Sequence, residues 1–171
     1  MKNEIIFRKA EVGDETGIAE LFNYGLKTKK FLYMGSDKLY DKEGVKKLRK
    51  RLSDKSSNSF NLIALDNDRI IGRVFFHGTK ENKLKHRVEF GWMVHPDYQG
   101  RGIGTKLLNL ALKYAKERGF KKADTEMSIK NIPSFKLAKK CGFKIEGTKK
   151  VGMLLDNGKY SDTYIMGKIL K

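Results

Sequence analysis

The sequence predicts an α/β domain, a mixed β-sheet with helices on its faces. Three observations carry this. Apolar residues recur with period two over short runs and with period three to four over longer ones, alternating along the chain. The chain has 171 residues, one domain's length, and 39% of them are hydrophobic, which suffices for a full core and a cleft. Near its end, Asn157-Gly158 stands between two strand-like runs, the strongest short hairpin signal.

Ile5 to Lys9 reads as a short strand. Asp14 is placed to cap a helix through about Leu26, with Ile18, Leu21 and Phe22 on one face. A second helix spans Asp41 to Leu52, carrying Val45, Leu48 and Leu52 at spacings of three and four. Between them, Lys27 to Tyr40 holds Phe31, Leu32, Tyr33 and Met34, too apolar for a plain solvent loop. Phe60 to Leu65 and Arg69 to His77 read as strands joined tightly at Asp66-Asn67-Asp68, and Arg87 to His95 as another strand. The helix from about Gly102 to Arg118 has the apolar stripe Leu107, Leu108, Ala111, Leu112, Ala115 and ends at Gly119. Lys122 to Ile129 is a strand, and Pro133 to Cys141 a short helix with proline in its first turn. Lys144 to Leu155 and Lys159 to Ile169 close the chain. The order is βααβββαβαββ over a single domain, 1–171, with no repeats or linkers.

Composition removes several classes. Two prolines and 11% aromatics argue against disorder. No apolar run approaches the ~18 residues of a membrane span. The start MKNEIIFRKA lacks the longer apolar core of a signal peptide, so a soluble cytoplasmic protein is expected. Cys141 is the sole cysteine and His77, His86 and His95 lack ligand spacing, so no metal is expected. Cys141, beside Gly142 at a helix end, reads as a buried thiol rather than a nucleophile. The 37 Lys and Arg against 20 Asp and Glu give a net charge of +17, which favours anionic partners. The excess is spread along the chain and is mostly Lys, so nucleic acid is disfavoured as a partner.

The most informative stretch is EFGWMVHPDYQGRGIGTKLL. A strand ends at Val94-His95, Pro96 breaks it, and Gln99-Gly100-Arg101-Gly102-Ile103-Gly104 opens a helix. Glycines allow close backbone approach, and the unpaired N–H groups at a helix start attract an anion. Arg101 adds a guanidinium. A phosphate or pyrophosphate belongs here. It is not a P-loop, since no GxxxxGK[ST] occurs. Nor does the Gly100-x-Gly102-x-Gly104 spacing match a dinucleotide fingerprint, although Asp124 lies about 20 residues on.

Gln99, Gly102 and Gly104 match the Gln/Arg-x-x-Gly-x-Gly/Ala signature of the GNAT superfamily of acetyl-CoA-dependent N-acyltransferases, which this chain resembles. A second family element, an Asn shortly before a helix ending in Gly-Phe, is met by Asn131 and Gly142-Phe143. The resemblance runs from about Ile5 to Ile169 and implies the GNAT fold, a mixed sheet of about seven strands with about four helices. It implies that amides from Gln99 through Gly100, Arg101, Gly102, Ile103 and Gly104 to Thr105 hold the CoA pyrophosphate. The strand ending at Met93-Val94 would splay from its neighbour and pair with the pantetheine arm. An amide near Met93 or Val94 would polarise the thioester carbonyl, and Asn131, with Ser134 nearby, would bind farther along the arm.

The implied reaction is direct attack of a primary amine on acetyl-CoA, without an acyl-enzyme or a metal. An amine of pKa ~10 arrives protonated, so a base is needed. Glu89, ten residues before Gln99, stands where many relatives carry a Glu acting through water. Otherwise it is a polar residue on the sheet's solvent face. Phe31, Tyr33 and Tyr40 fall in the segment that in this family borders the acceptor end of the cleft. The usual Tyr seven residues after the Asn is Ala138 here, and Tyr98, Tyr160 and Tyr164 are weak substitutes for that general acid. The acceptor stays open among small amines, polyamines and protein or peptide N-termini. Homodimers are common in the family. Two rival readings are a non-catalytic acyl-CoA-binding or sensing module on the same fold and a basic nucleic-acid-binding protein.

Overall fold

The computed structural model describes residues 4–28, 38–54, 58–79, 81–155 and 157–171. Phe31 and Tyr33, predicted at the acceptor end, lie outside them. The elements are β1 (Ile6–Lys9), α1 (Glu15–Lys27), α2 (Lys42–Ser53), β2 (Ser59–Asp66), β3 (Arg69–Gly78), β4 (Arg87–Val94), α3 (Ile103–Glu117), β5 (Lys122–Ser128), α4 (Ile132–Lys140), β6 (Lys144–Leu154) and β7 (Tyr160–Ile169). A short 3₁₀ turn, Pro96–Tyr98, lies between β4 and α3 where the sequence pattern suggested only a break.

The strands form one sheet in the order β1-β2-β3-β4-β5-β7-β6, antiparallel except for the β4–β5 pair. The predicted stripe of α3 (Leu107, Leu108, Ala111, Leu112, Ala115) is buried on one face, with Ala138 and Cys141 from the α4 end. Ile18 and Leu21 of α1 and Leu48 of α2 cover the other face against Ile63, Leu65 and Ile70. Each fully buried Leu or Ile contributes roughly 1.5–3 kcal/mol, so the two clusters fix which helix lies on which face.

Local chemistry departs from expectation in two places. Asp14 precedes α1 but makes no side-chain cap. Its carboxylate is drawn to Arg8 (2.7 and 2.8 Å) and to the Glu11 amide (2.7 Å), while Glu15 accepts from the Gly13 amide (2.6 Å). A bidentate charged partner outcompetes a lone amide. The Asn157-Gly158 hairpin is also wider than a two-residue turn: Leu155 N bonds to Lys159 O (2.8 Å), and of the two residues only Gly158 takes positive φ. The Asp66-Asn67-Asp68 hairpin is as tight as expected, with Asp66 opposite Arg69 and Asn67 left-handed.

The feature that makes a site is a split in the sheet. β4 and β5 pair only at Arg87/Lys122, Val88/Ala123 and Glu89/Asp124, although both strands continue. Beyond that point they diverge, as anticipated for the strand ending at Met93-Val94. Arg87 Nε donates to Asp124 Oδ2 (2.8 Å) across the last paired rungs, pinning the apex.

Candidate active site

Two cavities open along the split. The larger, about 650 Å³, runs from Met93 and Val94 past Gln99, Gly100, Gly102, Ile103, Gly104 and Thr105 to Asn131 and Ser134. The smaller, about 230 Å³, is lined by Glu89, Met93, Asn131 and Ser134 of the predicted residues. They meet at Trp92, Met93, Asn131 and Ser134.

The larger cavity ends on an amide cradle. Gly100 (φ 75°) and Gly102 (φ 80°) are left-handed, a conformation only glycine takes freely, and together they swing the chain into α3. The first backbone bond of α3 runs from Lys106 N to Gly102 O (3.0 Å), so the N–H groups of Ile103, Gly104 and Thr105 precede the ladder. No acidic residue stands in that first turn. This is an anion site in the helix-dipole sense. Gln99 turns back, donating from Nε2 to Val94 O (3.0 Å). Arg101 does not line the cavity; its guanidinium lies 5.0 Å from the Tyr98 ring centre. Lys136 and Lys140, spaced by one helical turn on α4, line the cavity and add cations the sequence reading passed over. Their i, i+4 spacing was the available signal.

The loop carrying the cradle is stapled to the rest of the sheet. Tyr98 donates its hydroxyl proton to Asp66 Oδ2 (2.7 Å), which raises the phenol's pKa and removes Tyr98 as an acid for this site. His95, 2% exposed, stacks on Tyr24 at 4.3 Å and its Nε2 accepts from Arg69 Nη2 (2.9 Å). Burial, aided by Arg69, holds the imidazole below its usual pKa. The unfolded chain protonates His95 near pH ~6.5 and the folded chain only below that, so stability is full above this value and falls as pH drops through it. Melting temperature should decline from about pH 6.5 downward, and His95→Gln should flatten the early part of that decline.

Where the cavities meet, Trp92 Nε1 donates to Ser134 Oγ (3.3 Å), and Asn131 Oδ1 caps α4 by accepting from Ser134 N (3.2 Å). The asparagine therefore orders the helix start as well as facing the cleft. Ala138 is fully buried, Tyr160 is 64% exposed at the start of β7, and Tyr164 packs on Phe135 (5.2 Å); none of the three lines either cavity. Cys141 is buried and its thiol pKa is pushed up by that burial.

In the smaller cavity Glu89 is 55% exposed, with Oε2 3.7 Å from His77 Nε2. Beside it stand Phe75 and Arg73 of β3, neither singled out from the sequence. Their signal was parity: Arg73, Phe75 and His77 alternate along one face of an otherwise apolar strand. Tyr40 does not line the cavity. It packs edge-on against Phe22 (4.9 Å), with its phenol beside the Arg73 guanidinium. Among the described residues no group of three His, Cys, Asp or Glu could hold a metal ion, and no helix is long and apolar enough to cross a membrane.

A family model described as acetyltransferase (GNAT) family matches residues 24–143. The chain belongs to the GNAT family. Its fold matches the GNAT acetyltransferase structure from Streptococcus pneumoniae with a TM-score of 0.88 and 25% identity, over 97% of this chain and 99% of that one. A GNAT-like fold also appears in yncA of Salmonella typhimurium, solved with acetyl-CoA, at TM-score 0.86 and 22% identity over 99% and 95% of the chains. The L-amino acid N-acetyltransferase AaaT of Escherichia coli (strain K12) is 25% identical over 80% of this chain and 76% of its own length. An uncharacterized N-acetyltransferase of Bacillus subtilis (strain 168), YnaD, is 27% identical over 64% of this chain, which spans 63% of that relative's length.

Proposed function

We propose that this GNAT protein transfers an acetyl group from acetyl-CoA to a primary amine in a ternary complex. The observation that carries the reading is the split between β4 and β5, with an amide cradle at one end and a water-accessible carboxylate at the other. The names of its relatives, acetyltransferases all, support it, as does the acetyl-CoA bound by the structural neighbour from Salmonella. Acetyl-CoA supplies a thioester-activated acetyl group when bound. The glycine-opened amides from Gly100 to Thr105, with Lys136 and Lys140, fit its pyrophosphate and other phosphates, whereas the Gln99 amide is spent on Pro96 O (3.1 Å); an amide near Met93 or Val94 polarises the carbonyl.

The chain's own work is then to position an amine and remove a proton. Glu89 takes that proton through water as the N–C bond forms and the C–S bond breaks. The thiolate leaves with a proton from solvent, since among the described residues no tyrosine lines the junction of the cavities. The test is free-thiol release from acetyl-CoA against a panel of amines, amino acids and peptides with N-terminal amines. Turnover with at least one amine is expected. Acetyl-CoA binding with no turnover on any of them would leave a binding module, and salt-sensitive DNA binding without acetyl-CoA binding would replace the reading.

A further inference from the structure

Arg73 is a buried cation without a counter-ion among the described residues. It is only 9% exposed, in the middle of β3, and lines the smaller cavity. Its Nε and Nη2 both donate to Asn61 Oδ1 (2.9 and 2.5 Å), Tyr40 offers a phenol, and Phe75 lies under the guanidinium at 4.7 Å. All three neighbours are neutral. Among the described residues no carboxylate pairs with it, and the nearby charge is Arg51, another cation. A guanidinium stays protonated at any working pH, and burying it without an anion is costly. A fold that only needed to fill this position would do so with an apolar side chain.

The register shows what the charge faces. Arg73 lies opposite Met93, Phe75 opposite Gly91, and His77 opposite Glu89. Gly91 has no side chain, and the space its Cβ would take belongs to the Phe75 ring. The smaller cavity therefore has a cation at one end, an aromatic floor in the middle and the carboxylate of Glu89 at the other. A molecule with a positive and a negative end, small enough for about 230 Å³, fits that polarity.

Building on the proposed acetyl transfer, we propose that Arg73 binds a carboxylate of the acceptor, making the acceptor an amino acid or a similarly small amino carboxylate. The guanidinium's flat fork takes both carboxylate oxygens, as Lys would not. The acceptor's amine then lies on the Glu89 side of Phe75. Long polyamines have no anion for Arg73, and the N-terminal amine of a protein has its carbonyl tied up in a neutral amide.

The deciding experiment compares wild-type kcat/KM for matched acceptors: phenylalanine, phenylalaninamide and phenethylamine, the same series built on methionine, and spermidine. The acids should lead their amides and decarboxylated amines by about 10- to 100-fold, the worth of a charge-assisted bond. Arg73→Gln should raise KM for the acids by a similar factor, far more than for the amides or for acetyl-CoA. Amides or spermidine that turn over as well as the acids would overturn the inference while leaving acetyl transfer intact. So would an Arg73→Gln protein that loses all acceptors equally, since Arg73 would then only brace Asn61 and Tyr40. Should that variant not fold, the wild-type comparison decides alone. If no amine turns over, acetyl transfer itself fails, and thermal stabilisation by N-acetylphenylalanine but not by its amide still decides for or against Arg73.

Discussion

Gly102→Val should abolish acetyl-CoA binding while leaving a folded protein. At Gly102 a Cβ would meet no atom within 4 Å, so the side chain has room, but it would occupy open space at the cradle that the proposed pyrophosphate would need. The backbone there is at φ 80°, which costs an L-residue about 1–2 kcal/mol and a β-branched one more. That strain lowers the ligand-free melting temperature by several degrees, which circular dichroism separates from unfolding. Wild-type protein at 100 times the dissociation constant of acetyl-CoA gains about 2.7 kcal/mol, and the variant should gain none. A folded Val variant with the wild-type thermal shift would show that the anion sits elsewhere.

Glu89→Gln should lower kcat by roughly 10²-fold or more with little change in acetyl-CoA affinity. Glu89 stands on the last paired rung of β4 and β5, opposite Asp124, and lines the smaller cavity rather than the one that ends on the amide cradle. Its exposure leaves it open to water, which in the proposed mechanism would relay the amine's proton. The defect should shrink as pH rises toward the acceptor's own pKa, because deprotonated amine then needs no base. The rising limb of kcat/KM should move the same way. Near wild-type kcat at pH 7 in the Gln variant would exclude Glu89 and leave positioning of the scarce neutral amine as the whole contribution.

The sheet and the cradle were legible in the sequence because both rest on short-range rules. Period-3.6 burial placed α3, Gly119 and Gly142 end α3 and α4 at φ 85° and 90°, and Gly100 and Gly102 take the positive φ that their spacing suggested. Asp14 failed as a cap because Arg8 reaches it from β1, a partner that no local rule supplies. Tyr98 stood as a weak candidate acid until the β2–β3 turn brought Asp66 to its hydroxyl. Arg73 was hidden for the opposite reason. Its position on the strand was plain, but the lack of a paired carboxylate among the described residues is a property of three dimensions, decided by β2, α2 and Tyr40 together.

The divergence of β4 from β5 also has a mechanical side. Past the apex the molecule consists of two half-sheets, β1–β4 and β5–β7, hinged on three rungs and held together otherwise by helix packing. Alternate backbone groups of each half face the slit, an edge turned inward where no foreign strand can reach it. A ligand lying in the slit would bridge both banks like a keystone, so that filling the cradle should slow amide exchange at Thr125–Ser128 on the far bank and at Gly91–Met93 on the near one.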